Sequence, residues 1–133
     1  MRPSTNTLSS MLALSIVSPH GKNIATGRKT IEVRSWLPAE LPLRNLLIVE
    51  NHSYLTENSP TDPNGVAIAL VDVVEVHEWS EGEVEAACSE GWQPGYWAWS
   101  LSNVRPIFPP FPVAAKRKLY EVAACLPQGQ NAA

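Results

Sequence analysis

A chain of 133 residues is long enough to bury one core and too short for two domains. Its 44% hydrophobic and 17% charged residues exclude global disorder, and its longest apolar stretch, residues 65–76, is too short to cross a bilayer. Residues 1–11 read as a flexible leader without the apolar segment of a signal peptide. Because Cys88 and Cys125 form no paired motif and we find neither an export signal nor a membrane span, we expect reduced thiols, a cytoplasmic location and no membrane association.

The formal net charge of −3 conceals an uneven distribution of charge along the chain. Residues 1–50 carry six Lys or Arg and three acids, residues 51–95 carry nine acids and no Lys or Arg, and residues 96–133 carry four Lys or Arg and one acid. If the two basic ends meet in space, they form an anion-binding face on an acidic protein. The alternative is that the acidic block is simply a solvated helix and loop.

The first half of the chain predicts three strands around one short helix. Leu12–Val17 is a short apolar strand, after which Ser18 suits the cap and Pro19 the first turn of a helix that ends at Gly27. Residues 30–36 alternate between apolar and polar side chains, as a half-buried strand does. The segments that follow are a loop, a buried strand and a long polar loop, at residues 37–44, Leu46–Val49 and residues 52–64.

The second half predicts three more strands and a second short helix. The strands are a long β-branched run, an aromatic run and a final basic run, at Val66–Val76, Tyr96–Leu101 and Lys118–Ala123. Glu81–Ser89 has helical character with Ser80 as its cap, and Pro106–Pro112 reads as an extended connection. About six strands, two or three short helices and no alternation of strand and helix indicate an α+β fold, a small mixed β-barrel.

Three segments of the chain resemble segments of the ASCH family and follow one another in the same order as in that family. Members of the family have a PUA-like barrel. The first carries the signature Gly-x-Lys-x-x-Glu-x-Arg, and the others resemble the family's central strand and its late tryptophan strand. These segments are Gly27–Arg34, Gly65–Asp72 and Tyr96–Asn103.

The resemblance implies one domain over residues 12–124, with a flexible tail at residues 125–133. It also implies a cleft between the barrel and the short helix, lined by the signature residues. Members of the family are expected to bind RNA, and some small bacterial members hydrolyse nucleic acids or remove the acyl group from N4-acetylcytidine. We therefore expect RNA or a modified pyrimidine nucleoside as the ligand, with no cofactor.

The signature residues suggest two kinds of chemistry. Lys29 can act as a base if its pKa is lowered in a cleft, or it can stay charged and hold a phosphate. Glu32 and Arg34 share a strand face. They form either a structural ion pair or a binding site in which Glu32 orients Arg34 toward a phosphate or carbonyl oxygen. The deacylases use a threonine nucleophile, a lysine and a later glutamate, and Lys29 and Glu90 match the last two. Glu32 occupies the threonine position, so Thr30 or a water activated by Glu32 would replace that nucleophile.

Further predicted ligand contacts accompany Arg34, namely Ser18, His20, Trp36 and Lys116. Trp36 either stacks on a base or packs in the core. Lys116 begins a basic run. Its side chains either contact successive phosphates of a nucleic acid or prevent another strand from pairing with a sheet edge. No spacing among the histidines and cysteines predicts a metal site.

Three functions remain open on these grounds. The first is a hydrolase of RNA or N4-acylcytidine, with Lys29, Glu32, Glu90 and Thr30 as candidate catalytic residues. The second is a non-catalytic RNA-binding module that uses the same cleft, and the third is a scaffold or regulatory protein. The acidic net charge weighs against broad, salt-driven RNA binding and favours a small ligand or a localised contact.

Overall fold

Eight strands, one α-helix and one 3₁₀ turn make up the computed structural model, which describes residues 8–127. In chain order the elements are β1 (Ser9–Val17), α1 (His20–Ala25), β2 (Ile31–Arg34), β3 (Leu43–Asn51), β4 (Thr61–Asp62), β5 (Val66–Glu78), the 3₁₀ turn (Glu81–Glu83), β6 (Trp97–Pro112), β7 (Ala115–Lys116) and β8 (Leu119–Ala124). Six strands form one sheet in the order β2-β6-β5-β3-β1-β8, and β4 pairs with β7 separately.

The large sheet is curled into a half-barrel, which confirms the predicted small mixed β-barrel. β1 and β3 pair in parallel, and every other pairing is antiparallel. The α-helix packs on the sheet against β1, β3, β5 and β6. The described residues hold one α-helix and one 3₁₀ turn, fewer than the two or three helices expected from the sequence.

Both faces of the central strands are buried, which explains why their sequences are almost continuously apolar. On one face Leu14 of β1 and Ile48 of β3 pack with Ile24 of α1 and the fully buried Trp99 of β6. On the other face the alternate residues of the same strands form a second cluster that includes Ile107 of β6. A strand covered on both sides needs apolar residues at successive positions, so the predicted strands of the central sheet were recognisable from their composition.

β6 is one strand of 16 residues, where the sequence predicts a short strand and a separate proline-rich connection. The strand pairs with β5 along its length, from Glu78↔Trp97 to Val66↔Pro112. β2 covers the other edge of β6 only over Trp97–Ser100. Prolines lack an N–H, and they are tolerated in the later part of β6 because no strand within residues 8–127 pairs with its outer edge there.

The predicted helix Glu81–Ser89 is also wrong, because only its first turn is helical. Ser80 is at the cap as predicted and forms a capping box with Glu83, in which the Ser80 N–H donates to Glu83 Oε1 at 3.0 Å. Beyond it, the carbonyl of Ala86 accepts hydrogen bonds from the chain that leads into β2, and the carbonyl of Ala87 accepts one from a lysine side chain. These carbonyls hold the segment against β2, and its chain continues as irregular turns.

Ser18 does not cap α1 as the sequence predicts. Pro19 is the residue at the N-cap, and no side-chain hydrogen bond caps the helix. The backbone N–H of Ser18 donates instead to the carbonyl of Asn51 at 2.7 Å, which extends the pairing of β1 with β3 by one residue.

The small β4–β7 sheet has no counterpart in the sequence-based prediction. Thr61 pairs with Lys116, so the long loop after β3 is tied to the chain just before β8.

β1 begins at Ser9, inside the predicted leader, and residues 1–7 and 128–133 of the leader and tail lie outside the described residues. Between residues 8 and 127, no helix is long and apolar enough to span a bilayer.

Candidate functional site

A cleft of about 920 Å³ opens beside the half-barrel. Its walls come from the end of β1, the start of α1, the chain around β2, the loop after β3, the segment after the 3₁₀ turn and the turn between β7 and β8. This volume is in the range of small-molecule sites in proteins. Elements from both ends of the chain therefore contribute to one concave surface.

Lys29 lies at the base of this cleft with only 5% of its surface exposed. The chain reaches it through Gly27, whose φ of 83° is a left-handed conformation that favours glycine, and the Lys29 N–H donates to Asn23 O at 2.9 Å. Its ammonium lies 3.3 Å from Glu32 Oε1 and donates to the carbonyl of Ala87. Because an ammonium has three N–H donors, one remains for a ligand.

Glu32 connects Lys29 to Arg34 on the polar face of β2. Arg34 Nε donates to Glu32 Oε2 at 2.7 Å, while the other carboxylate oxygen faces Lys29. Arg34 Nη2 donates to the carbonyl of Ser15 at 2.9 Å, which fixes the guanidinium against β1. The three signature side chains thus form one charged row along the cleft, and the carboxylate holds both cations in place.

The cleft is strongly basic although the chain is acidic. Its cationic lining residues are Lys29, Arg34, Lys116, Arg117 and Lys118, and Glu32 is the one acidic lining residue among the residues that the structure describes. Counted as formal charges, the lining carries +4 on a chain with a net charge of −3. The two basic ends of the sequence therefore meet here, and the potential of the cleft favours an anion.

The basic turn between β7 and β8 is held against β1 by a small hydrogen-bond network. The Ser15 hydroxyl lies 2.7 Å from the Tyr120 hydroxyl and accepts a hydrogen bond from the Lys116 N–H at 3.2 Å. Burial raises the pKa of Tyr120, against the opposing effect of its hydrogen bonds. This anchoring keeps three exposed cationic side chains at the rim of the cleft.

Aromatic side chains line the same cleft. Trp36 is half-buried and meets the fully buried Trp99 edge-on, with ring centroids 5.0 Å apart and an interplanar angle of 83°. Lys118 Nζ lies 5.8 Å from the Trp36 ring centroid. Tyr54, from the loop after β3, is largely exposed at the rim. The cleft therefore offers ring surfaces beside its positive charges.

Two buried polar atoms of lining residues, His20 Nδ1 and Asn51 Oδ1, lack a hydrogen-bond partner among the described residues. His20 is the first residue of α1, and Asn51 is the last residue of β3, whose carbonyl accepts the hydrogen bond from the Ser18 N–H. His20 is a predicted ligand contact, whereas Asn51 was not singled out from the sequence. The available signal for Asn51 was its position as a polar residue at the end of the apolar β3 run.

The family-model comparison matches an ASCH domain over residues 14–111. The chain belongs to the ASCH family. Among solved structures, this ASCH domain is similar to an ASCH protein from Zymomonas mobilis, with a TM-score of 0.51 and 18% identity over 81% of this chain and 74% of the other. A serine-to-alanine variant of that protein gives a TM-score of 0.47 and 17% identity over 77% and 72% of the two chains. No curated protein matches the sequence.

The candidate catalytic and ligand-binding residues predicted from the sequence fall into two groups in the structure, those that line the cleft and those that do not. Those that line the cleft are Lys29, Glu32, Arg34, His20, Trp36 and Lys116. Ser18, Thr30 and Glu90 do not line it. Thr30 is exposed and precedes the first residue of β2, so the alternation of the strand does not turn it toward Glu32.

Glu90 lies in a neighbouring cavity of this ASCH domain and is exposed. The segment before it, predicted as the helix Glu81–Ser89, ends in irregular turns that carry Cys88 and Ser89 to the cleft wall. Within residues 8–127, no group of three or more His, Cys, Asp or Glu side chains is placed to hold a metal ion.

Proposed function

We propose that the cleft binds RNA, or a pyrimidine nucleotide fragment of it, through its phosphates and at least one stacked base. The observation that carries this proposal is the convergence of five cationic side chains in one cleft of an acidic protein. Arg and Lys side chains provide the usual contacts to phosphate oxygens. Trp36 and Tyr54 supply rings beside them, as single-stranded RNA readers do. The ASCH membership adds the expectation of an RNA-related ligand.

The proposed RNA ligand is consistent with the acidic net charge because its contacts are local. A small number of phosphates in a basic cleft is bound without the broad basic surface that long nucleic acids require. We also assign the protein to the cytoplasm, where RNA is abundant and a thiol such as Cys88 stays reduced. Fractionation of cells that produce the tagged protein tests this location.

Binding is tested with a short fluorescent single-stranded RNA, followed by anisotropy at several salt concentrations. Lys116→Ala and Lys118→Ala should each weaken binding and reduce the slope of log K against log[salt] by about 0.7 for each phosphate that the variant no longer neutralises. Lys22→Ala is the matched control, since Lys22 is exposed on α1 and does not line the cleft. An equal decrease of affinity in all three variants, or no binding by the wild type, would contradict the proposal.

A second candidate function is hydrolysis of N4-acylcytidine or RNA in the same cleft. It is favoured by the 3.3 Å approach of Lys29 to Glu32 at the buried base of the cleft. For an acylated cytidine, Glu32 would take a proton from water as the water oxygen adds to the acyl carbonyl carbon. Lys29 would stabilise the oxyanion of the tetrahedral intermediate. The bond between the acyl carbon and N4 then breaks as Glu32 returns the proton to N4, and a carboxylic acid and cytidine are released.

The two candidates are separated by incubating the protein with N4-acetylcytidine and with end-labelled RNA, beside Lys29→Ala and Glu32→Gln variants. Turnover that both substitutions abolish supports hydrolysis. Intact RNA that nevertheless binds to the wild type supports a non-catalytic RNA-binding or regulatory module.

A further inference from the structure

A second cavity of about 430 Å³ lies directly beside the cleft. The two share the side chains of Val33, Ser89 and Tyr96 as a common wall. The rest of its lining comes from Trp79, which lies between β5 and the 3₁₀ turn, and from residues 90–93 before β6, including Trp92. The two cavities are therefore adjacent, and a ligand longer than the cleft can reach the second cavity across these three side chains.

The second cavity has a fixed aromatic surface. Trp92 is 37% exposed, and its Nε1 donates to the carbonyl of Trp79 at 3.0 Å. Since the polar atom of the indole is already bonded, the exposed part of Trp92 is carbon ring. Tyr96 packs edge-on against the buried Trp79 with centroids 6.4 Å apart, and Gln93 Nε2 donates to its hydroxyl at 3.3 Å. These contacts hold the rings in place before any ligand arrives.

The charges of the two cavities are opposite. The cleft has five cationic lining residues, whereas Glu90 is the single charged residue, among those the structure describes, that lines the second cavity. A carboxylate repels phosphate but accepts hydrogen bonds from the exocyclic amine of cytosine. The second cavity is therefore suited to an uncharged ring with amine donors, while phosphates stay in the basic cleft.

We propose that the second cavity is a nucleobase subsite, which takes the base of a nucleotide adjacent to the one bound in the cleft. The inference rests on the proposed RNA-binding function and makes it more specific. The ligand is then a single strand of at least two nucleotides, and a free nucleoside or mononucleotide occupies only part of the site. Trp92 provides the stacking surface, and Glu90 faces the edge of the base.

The test compares cytidine 5′-monophosphate with the 5′-phosphorylated dinucleotide of cytidine by calorimetric titration of the intact protein. Stacking of a base on an aromatic side chain predicts that the dinucleotide binds about tenfold more tightly or better. Trp92→Ala should abolish this gain and leave the affinity for the monophosphate within about twofold of the wild type. Trp92→Phe should keep most of the gain, because phenylalanine preserves a ring face.

Phe108→Ala is the matched control, since Phe108 is an exposed aromatic residue of β6 that lines neither cavity. It should bind both ligands like the wild type. Equal affinities of the wild type for the two ligands, or a dinucleotide gain that survives Trp92→Ala, would overturn the subsite and leave the RNA-binding cleft standing. Failure of both ligands to bind would overturn the proposed function itself.

Discussion

The ammonium of Lys29 lies 3.3 Å from the carboxylate of Glu32, and these residues are only 5% and 6% exposed. Burial of either charge alone is unfavourable, because the interior cannot replace the water that it loses. Glu32 also accepts a hydrogen bond from Arg34, so its removal leaves two cations without their shared counter-ion. The pair is therefore a requirement for a stable cleft as well as a candidate for its chemistry.

We predict that Glu32→Ala destabilises the protein by about 3–5 kcal/mol, the usual effect of breaking a buried ion pair by removing one partner. Lys29→Met should destabilise it less, since Arg34 still neutralises the remaining carboxylate. The double variant Lys29→Met/Glu32→Ala should be more stable than the sum of the single effects implies. Urea unfolding of the four proteins measures this coupling, and additive free energies of unfolding would show that the pair is not energetically linked.

The central strands of the fold could be predicted from the sequence because their burial on both faces imposes continuous apolar runs. Val66–Val76 is such a run, and it is the main part of β5. The limits of β6 could not be predicted in this way. Prolines normally end a strand. They do not end β6 because, within the described part of the chain, its outer edge has no strand partner beyond Ser100, and only the three-dimensional pairing shows this.

The site was predictable where its residues are close in sequence. Lys29, Glu32 and Arg34 belong to one short segment, so the spacing of a strand places the last two together. Lys116 was named only as the start of a basic run, and it lies beside them because its N–H donates to the Ser15 hydroxyl of β1, a long-range contact that local patterns do not report. Glu90 was chosen because it matches the family's later glutamate, and the predicted helix before it was wrong because the carbonyl of Ala86 is hydrogen-bonded to the chain that leads into β2.

A second buried carboxylate, Asp72 of β5, connects its strand to β3 and β6 and does not line the cleft. Arg105 Nη2 donates to its Oδ1 at 2.9 Å, and Asn103 Nδ2 donates to its Oδ2 at 3.0 Å. Burial alone would raise the pKa of Asp72, but hydrogen bonds from the Asn45 N–H, Asn103 and Arg44 and the charge of Arg105 lower it. The carboxylate is therefore retained in its ionised form.

We predict that the two arginines at Asp72 differ in their effect on stability. The Arg105 side chain is 17% exposed, so Arg105→Ala should cost about 3 kcal/mol or more by leaving a buried carboxylate short of a partner. The Arg44 side chain is 58% exposed and 3.3 Å from Asp72, so Arg44→Ala should cost about 0–1 kcal/mol. Thermal unfolding of both variants checks the order, and equal losses of stability would contradict it.

His77 connects β5 to the 3₁₀ turn and makes stability depend on pH. Its pKa is raised above the ordinary value of 6.5, first because Glu83 bonds to Nε2 at 2.6 Å, and with the help of Glu75, against the opposing effect of burial. A raised pKa in the folded state means that protonation favours folding. The contribution of protonated His77 to the stability of the fold is complete below pH 6.5 and is lost as the pH rises through the raised pKa of His77.

We therefore predict that the free energy of unfolding falls by about 0.2–1 kcal/mol as the pH rises through the raised pKa of His77. This is the usual contribution of a partly exposed ion pair. His77→Gln removes the titrating group and should flatten the pH dependence between about pH 6 and 9. The measurement is urea unfolding of both proteins across that range. Parallel curves for the wild type and the variant would show that His77 does not carry the effect.

The last prediction concerns Trp36, which both lines the cleft and packs edge-on against Trp99. Trp36→Ala should weaken binding of single-stranded RNA by about 1–3 kcal/mol, the contribution of one base stacked on an aromatic side chain. It should also lower stability by about 0.5–1.5 kcal/mol or more, because Trp99 no longer packs against a ring. Trp36→Phe should restore most of the affinity, because a ring face is kept. If Trp36→Ala lowers the unfolding temperature and RNA affinity is unchanged at a temperature where the variant is folded, Trp36 is a core residue and the base stacks elsewhere.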